Sequence, residues 1–113
     1  MDIPLQPLRI PSSWTVVFNE GLYEIDPAPE SIPENKHLWF FKEDMLWLQH
    51  ADQKLHLDVG WFPSGDLVQG EYHLVLAESD KYEKPIREFR TRDRSALVAE
   101  IERLLLEVSK KKV

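Results

Sequence analysis

The chain contains no cysteine. That excludes a disulfide framework, a thiolate metal site and a cysteine nucleophile, and it suits a reducing compartment. Long hydrophobic runs are also missing. Stretches such as Leu38–Phe41 and Leu104–Leu106 fall far short of the roughly 18 apolar residues that a membrane-spanning helix needs. The first residues, Met1-Asp2-Ile3-Pro4, lack a basic region followed by an apolar one, so the expectation is no secretory leader and a cytoplasmic location. Enzyme signatures are missing as well: no phosphate loop, no dinucleotide fingerprint, no Gly-x-Ser-x-Gly and no His-Glu-x-x-His. The serines at 12, 13, 31, 64, 79, 95 and 109 have no histidine at an informative spacing. The sequence therefore predicts no catalytic residues, no metal and no cofactor.

Positive charge is scarce through most of the chain. Residues 1–80 carry four basic side chains (Arg9, Lys36, Lys42, Lys54) against fourteen acidic ones, a balance of −10. Residues 81–113 carry ten basic and six acidic, a balance of +4, which yields the net −6 of the whole. A surface of this kind repels nucleic-acid phosphate and attracts basic partners, although solubility alone also accounts for a net charge of this size.

At 113 residues the chain is expected to be one domain, 1–113, with a core that needs no staples. Residues 1–13 hold Pro4, Pro7 and Pro11 and read as an extended lead-in lying along the domain through Ile3, Leu5, Leu8 and Ile10. Residues 14–91 read as mostly β. Trp14–Asn19 and Leu22–Asp26 suggest a hairpin about Asn19-Glu20-Gly21, followed by an exposed, proline-rich loop over 27–36. His37–Lys42 is open between a helical turn and an irregular approach to the next strand.

Residues 44–50, 54–61 and 70–78 then alternate apolar and polar, each run ending in turn residues. Paired as an antiparallel meander, they gather Leu46, Leu48, Leu55, Leu57, Val59, Tyr72, Leu74 and Leu76 on one face. Met45, Trp47, Gln49, His56, Asp58, His73, Val75 and Ala77 fall on the other, because side chains alternate along a strand. Residues 86–91 suggest a last strand. Over 94–110, apolar residues at 97, 98, 101, 104, 105 and 108 form the stripe of an amphipathic helix, with Asp93 as N-cap and Leu106 pointing away. The expected fold is α+β: an antiparallel β-meander of about five to six strands with one C-terminal amphipathic helix packed on the leucine face.

Four groups of residues could carry a function. On the polar sheet face, Trp47 would oppose Asp58, and Asp58 would oppose His73, with His56 alongside. A His–Asp pair at that spacing orients an imidazole, and two imidazoles with a carboxylate are a conceivable metal set. A half-exposed polar sheet face explains the same residues. The four tryptophans, Trp14, Trp39, Trp47 and Trp61, lie in different segments and could converge on one side as interaction anchors; core packing is the ordinary alternative. Gly60, ahead of Trp61, Phe62 and Pro63, marks a bulge or a close backbone approach at a strand end. Finally Lys81, Lys84, Arg87, Arg90, Arg92 and Arg94 form a basic stretch that reads as a salt-laced surface, since Glu83, Glu88 and Asp93 intervene.

The composition, being small, acidic, cysteine-free and tryptophan-rich, resembles that of immunity proteins that neutralise basic bacterial toxins. The resemblance covers no motif and transfers no residue. The leading expectation is thus a non-enzymatic protein-binding module for a basic partner, with Trp47, His56, Asp58, His73 and Trp61 as its binding residues. A small-ligand or metal site around His56, Asp58 and His73 is the second reading. A structural role is the third, as a homodimer through Leu106, the 38–41 cluster or an open edge strand.

Overall fold

The computed structural model describes residues 3–50, 52, 54–78 and 84–110, the side chains of Ser109 and Lys110 excepted. The strands are β1 (Trp14–Asn19), β2 (Leu46–His50), β3 (Leu55–Phe62), β4 (Glu71–Glu78) and β5 (Arg87–Thr91), with a short helix α1 (His37–Phe40) and a C-terminal helix α2 (Arg94–Lys110). The five strands form one antiparallel sheet in the order β1-β2-β3-β4-β5. This is the expected meander with its helix.

The faces sort as the alternation requires. Leu48, Leu57, Val59, Leu74 and Leu76 are buried beneath Leu97, Ile101, Leu104, Leu105 and Val108 of α2. Full burial of each such side chain stabilises by roughly 1.5–3 kcal/mol. Asp93 caps α2 by accepting from the Ser95 and Ala96 amides at 2.9 and 3.4 Å. Leu106 faces solvent, as its place off the stripe implies. Along the helix surface Arg103 bridges Glu100 (2.6 Å) and Glu107 (2.8 Å), and its hydrogen bond holds the Glu100 carboxyl below its ordinary value.

Three expectations need correction. Residues 22–26 do not form a hairpin with β1: Tyr23 bridges Leu5 instead, and β1 pairs with β2. The lead-in is tied down by this contact, by Gln6 N–H donating to the Leu22 carbonyl (2.9 Å), and by Glu24 N–H donating to that of Pro4 (2.9 Å). β1 therefore extends the main sheet. Second, the proline-rich loop is anchored by a buried Ile32 between two single 3₁₀ turns, Pro29–Ser31 and Glu34–Lys36. Third, the β3–β4 register differs by two residues from the expected one: Asp58 opposes Val75, and His73 opposes Gly60. A shift of two preserves the faces, so the leucine pattern could not detect it.

The reason for that register lies in the 63–70 connection. Gly70 N–H donates to the Asp66 carbonyl (2.8 Å) rather than joining the ladder. The Trp61 indole also packs on Gly70, with its nitrogen 2.2 Å from where a Cβ would sit. Arg92 donates to the carbonyls of Leu67 and Gly70 and lies 5.4 Å from the Trp61 ring centroid, which clamps the loop from the β5 side.

Tyr72 opposes Trp61 and is fully buried, and its hydroxyl has no hydrogen-bond partner among the described residues. Burial pushes the phenol well above its ordinary 10.0; the Arg94 charge opposes this and Asp26 and Asp93 reinforce it. Leaving such a group unpaired costs roughly 1–3 kcal/mol. Tyr72→Phe is therefore expected to raise the unfolding free energy by about 1 kcal/mol in urea titrations at pH 7. A raised folded-state value means that the unfolded state loses this proton first. Wild-type stability is then fully present below pH 10 and falls above it, by up to ~1.4 kcal/mol per pH unit, and the Phe variant lacks that component. Equal stabilities across this range would refute the assignment.

Candidate binding groove

The sheet face opposite α2 carries a concavity of about 610 Å³. Phe18, Trp47, Asp58, Phe62, His73 and Val75 contribute side chains to it, with Glu43 and Asp44 at one end. Two departures from regular strand geometry shape it.

The first is in β1. Val16 opposes Leu48 but Phe18 opposes Trp47, so two steps along β1 match one along β2. Directly opposed residues share a face. Without this bulge Phe18 would follow Trp14 and Val16 toward the helix; with it, Phe18 turns onto the open face beside Trp47. The second is at Gly60. The Glu43 carbonyl oxygen lies 1.9 Å from where a Gly60 Cβ would be, so the chain at Glu43 crosses directly over this residue. The Lys42 carbonyl accepts from Trp61 N–H (2.8 Å) and Met45 N–H donates to Val59 (3.0 Å), which leaves Glu43 and Asp44 outside the ladder. β2 accordingly starts at Leu46, and Met45, expected on the open face, is buried in the core. Glu43 and Asp44, which a regular strand would send to opposite faces, both border the groove.

The floor is organised by hydrogen bonds. Trp47 Nε1 donates to His56 Nδ1 (2.7 Å), which sets the two rings edge to edge with centroids 5.4 Å apart and planes inclined by 28°. His73 Nε2 lies 2.7 Å from a Glu88 carboxylate oxygen, which Arg90 also approaches at 3.5 Å. Phe62 packs edge-on against His73 at 5.9 Å. The β5 side of this face is thus an ion-paired row, and the β1–β3 side holds the carboxylates of Asp58, Glu43 and Asp44, with no lysine or arginine among the described lining residues.

The structure brings together only part of the expected set. Trp47, Asp58 and His73 lie at the groove. His56 supports Trp47 from beside it. Trp61 does not reach this face: it is fully buried against Phe41 and Tyr72, and its Nε1 donates to the Asp66 carbonyl (3.0 Å). Its parity, two residues beyond Val59, already assigned it to the leucine face. The tryptophans do not converge either. Trp14 is buried with Nε1 on the Leu105 carbonyl (3.2 Å), and Trp39 is exposed on α1, with Lys42 5.4 Å from its ring.

His56, Asp58 and His73 do not form a ligand set. His56 opposes Ala77 and His73 opposes Gly60, four residues apart along the strands, or roughly 13 Å at ~3.3 Å per residue. No group of three or more His, Asp or Glu that could hold a metal ion occurs among the described residues. Three residues of the basic stretch are engaged within the molecule: Arg94 pairs with Asp26 (2.9 Å) and with Gln6, Arg92 clamps the 63–70 loop, and Arg90 pairs with Glu88, while Lys81 lies outside the described residues.

Phe18, Glu43, Asp44, Gly60, Phe62 and Val75 also line the groove and lie outside the binding residues expected from the sequence. Phe62 shares strand parity with Asp58, and Gly60 had been read as a close-approach site. Phe18, Glu43 and Asp44 depend on irregular backbone that period-two reasoning does not anticipate. No protein-family model matches the chain, and neither a curated protein nor a solved structure matches it. No helix among the described residues is long and apolar enough to cross a membrane.

Proposed function

We propose that the protein is a small acidic binding module that engages a basic protein partner through the open face of its sheet. The observation that carries this reading is the groove itself: aromatic rings from three strands beside Asp58, Glu43 and Asp44, with no lysine or arginine among the described residues of its lining. Both irregularities of the sheet serve this one concavity. The β1 bulge turns Phe18 onto the concavity, and the crossing at Gly60, which also buries Met45 in the core, sets Glu43 and Asp44 at its border. The −10 balance over residues 1–80 adds a long-range attraction that speeds encounter with a positive surface. Neutralising a basic toxin inside the cell is one specific form of this activity, consistent with the composition.

The test is titration of the protein with a fluorescein-labelled nona-arginine peptide, with nona-glutamate as the control. Binding of the basic peptide at 20 mM salt, weakened at least tenfold at 500 mM, is expected, because exposed charge pairs are screened at the higher salt. Replacing Trp47 by alanine is expected to weaken it by about tenfold or more, in the manner of an aromatic anchor. Equal affinity for the two peptides, or none for either, would remove this reading.

A further inference from the structure

The groove differs from a merely acidic surface because its carboxylates are interleaved with rings. Phe18 and Asp58 flank Trp47 on either side in the strand register, so an aromatic, an aromatic and a carboxylate follow one another across β1, β2 and β3. Opposed Cβ atoms on neighbouring strands lie ~4.5–5.5 Å apart, the spacing at which one flat cation can touch a ring and a carboxylate together. The Trp47 indole N–H is held by His56 Nδ1, with the two rings edge to edge and inclined by 28°, so the ring is fixed in place before any ligand arrives. Along the sheet the row continues to Phe62, with Glu43 and Asp44 above Gly60.

On the foregoing reading of the open face as a site for a basic partner, we infer that the groove is a socket for a single arginine side chain presented by that partner. The guanidinium stacks on Trp47 and donates to Asp58, while the arginine's neighbours in the peptide reach the Glu43–Asp44 end. Arginine fits better than lysine for three physical reasons. Its planar cation stacks on a ring face, its five N–H groups serve acceptors on more than one side, and it sheds water more readily than an ammonium does. The molecule contains the same chemistry once internally: Arg92 lies over Trp61 at 5.4 Å while its N–H groups satisfy the carbonyls of Leu67 and Gly70. The volume of about 610 Å³ exceeds one side chain, so the occupant is an arginine within a segment rather than the free amino acid.

The experiment uses the full chain, labelled with ¹⁵N, and three nonapeptides of glycine and serine whose central residue is arginine, lysine or citrulline. Peptide is titrated while indole and amide cross-peaks are followed. The arginine peptide is expected to shift the Trp47 indole N–H and the Gly60 amide saturably, at least fivefold more tightly than the lysine peptide, with no saturation by citrulline. Asp58→Asn and Trp47→Ala are expected to weaken the arginine peptide at least tenfold, and Glu34→Gln, remote from the groove, to leave it unchanged. Phe18→Ala serves as the second groove variant should Trp47→Ala unfold. Lysine and arginine binding alike, citrulline binding as well as arginine, or shifts confined to other residues would overturn the socket. If nona-arginine binds in a salt-dependent way under those outcomes, the broader binding reading survives and only the socket falls. If no basic peptide binds, both fall.

Discussion

Trp61→Ala is expected to remove about 3–5 kcal/mol of stability, the range for deleting a large buried aromatic. A domain of this size has roughly 5–15 kcal/mol in total, so the variant should be partly unfolded at 37 °C. The side chain is fully buried and meets Phe41 and Tyr72 edge-on at 4.8 and 4.9 Å. Its loss also takes the indole hydrogen bond to the Asp66 carbonyl and the surface on which Arg92 lies, so the 63–70 connection loosens together with the core. Trp47→Ala should cost far less stability, since Trp47 is only half-buried on the open face. Urea titrations of both variants check the contrast. A Trp61 variant as stable as the Trp47 variant would mean that the two tryptophans have been given each other's roles.

Gly60→Ala is expected to destabilise by about 1–3 kcal/mol and, unlike Trp61→Ala, to damage the groove directly. The added methyl would sit 1.9 Å from the Glu43 carbonyl oxygen and 2.8 Å from its carbon, both backbone atoms with no rotamer to escape through. Either the sheet opens at Gly60 or the 42–45 segment moves off it. The second outcome carries Glu43 and Asp44 away from the groove, so peptide binding should weaken even in the fraction that remains folded. Stability is read from urea unfolding and the site from the shift of the Gly60-neighbouring amides. A Gly60→Ala variant with wild-type stability and wild-type peptide affinity would show that the crossing at Glu43 is not fixed in solution.

Much of this architecture was legible from alternation alone. Leu57 and Asp58 had to face opposite ways, and the stripe at 97, 101, 104, 105 and 108 needed an apolar partner that only the leucine face provides. Trp47 opposite Asp58 followed from the short β2–β3 connection, and the Asp93 cap from its place ahead of the stripe. The groove was less legible. The pairing of Asp58 with His73 failed because a two-residue shift leaves every side chain on its own face, so hydrophobicity is blind to it. What selects the register is the packing of Trp61 on Gly70 and the grip of Arg92 on the loop carbonyls, contacts between residues up to 25 positions apart in the chain.

The residue order, through period-two and period-3.6 patterning, determined that the leucines of the sheet and the stripe of α2 are buried together, because faces follow from parity, whereas Met45, His56 and Ala77, assigned by parity to the other face, are buried as well. Tertiary structure alone decided the two places where parity breaks, at Val17 and at Glu43-Asp44, and these bring Phe18 and a pair of carboxylates to the same concavity as Trp47. The physical reason is that a bulge is chosen by the fit of the strand against its neighbour and by the space that Gly60 leaves, and neither quantity exists until the strands have come together.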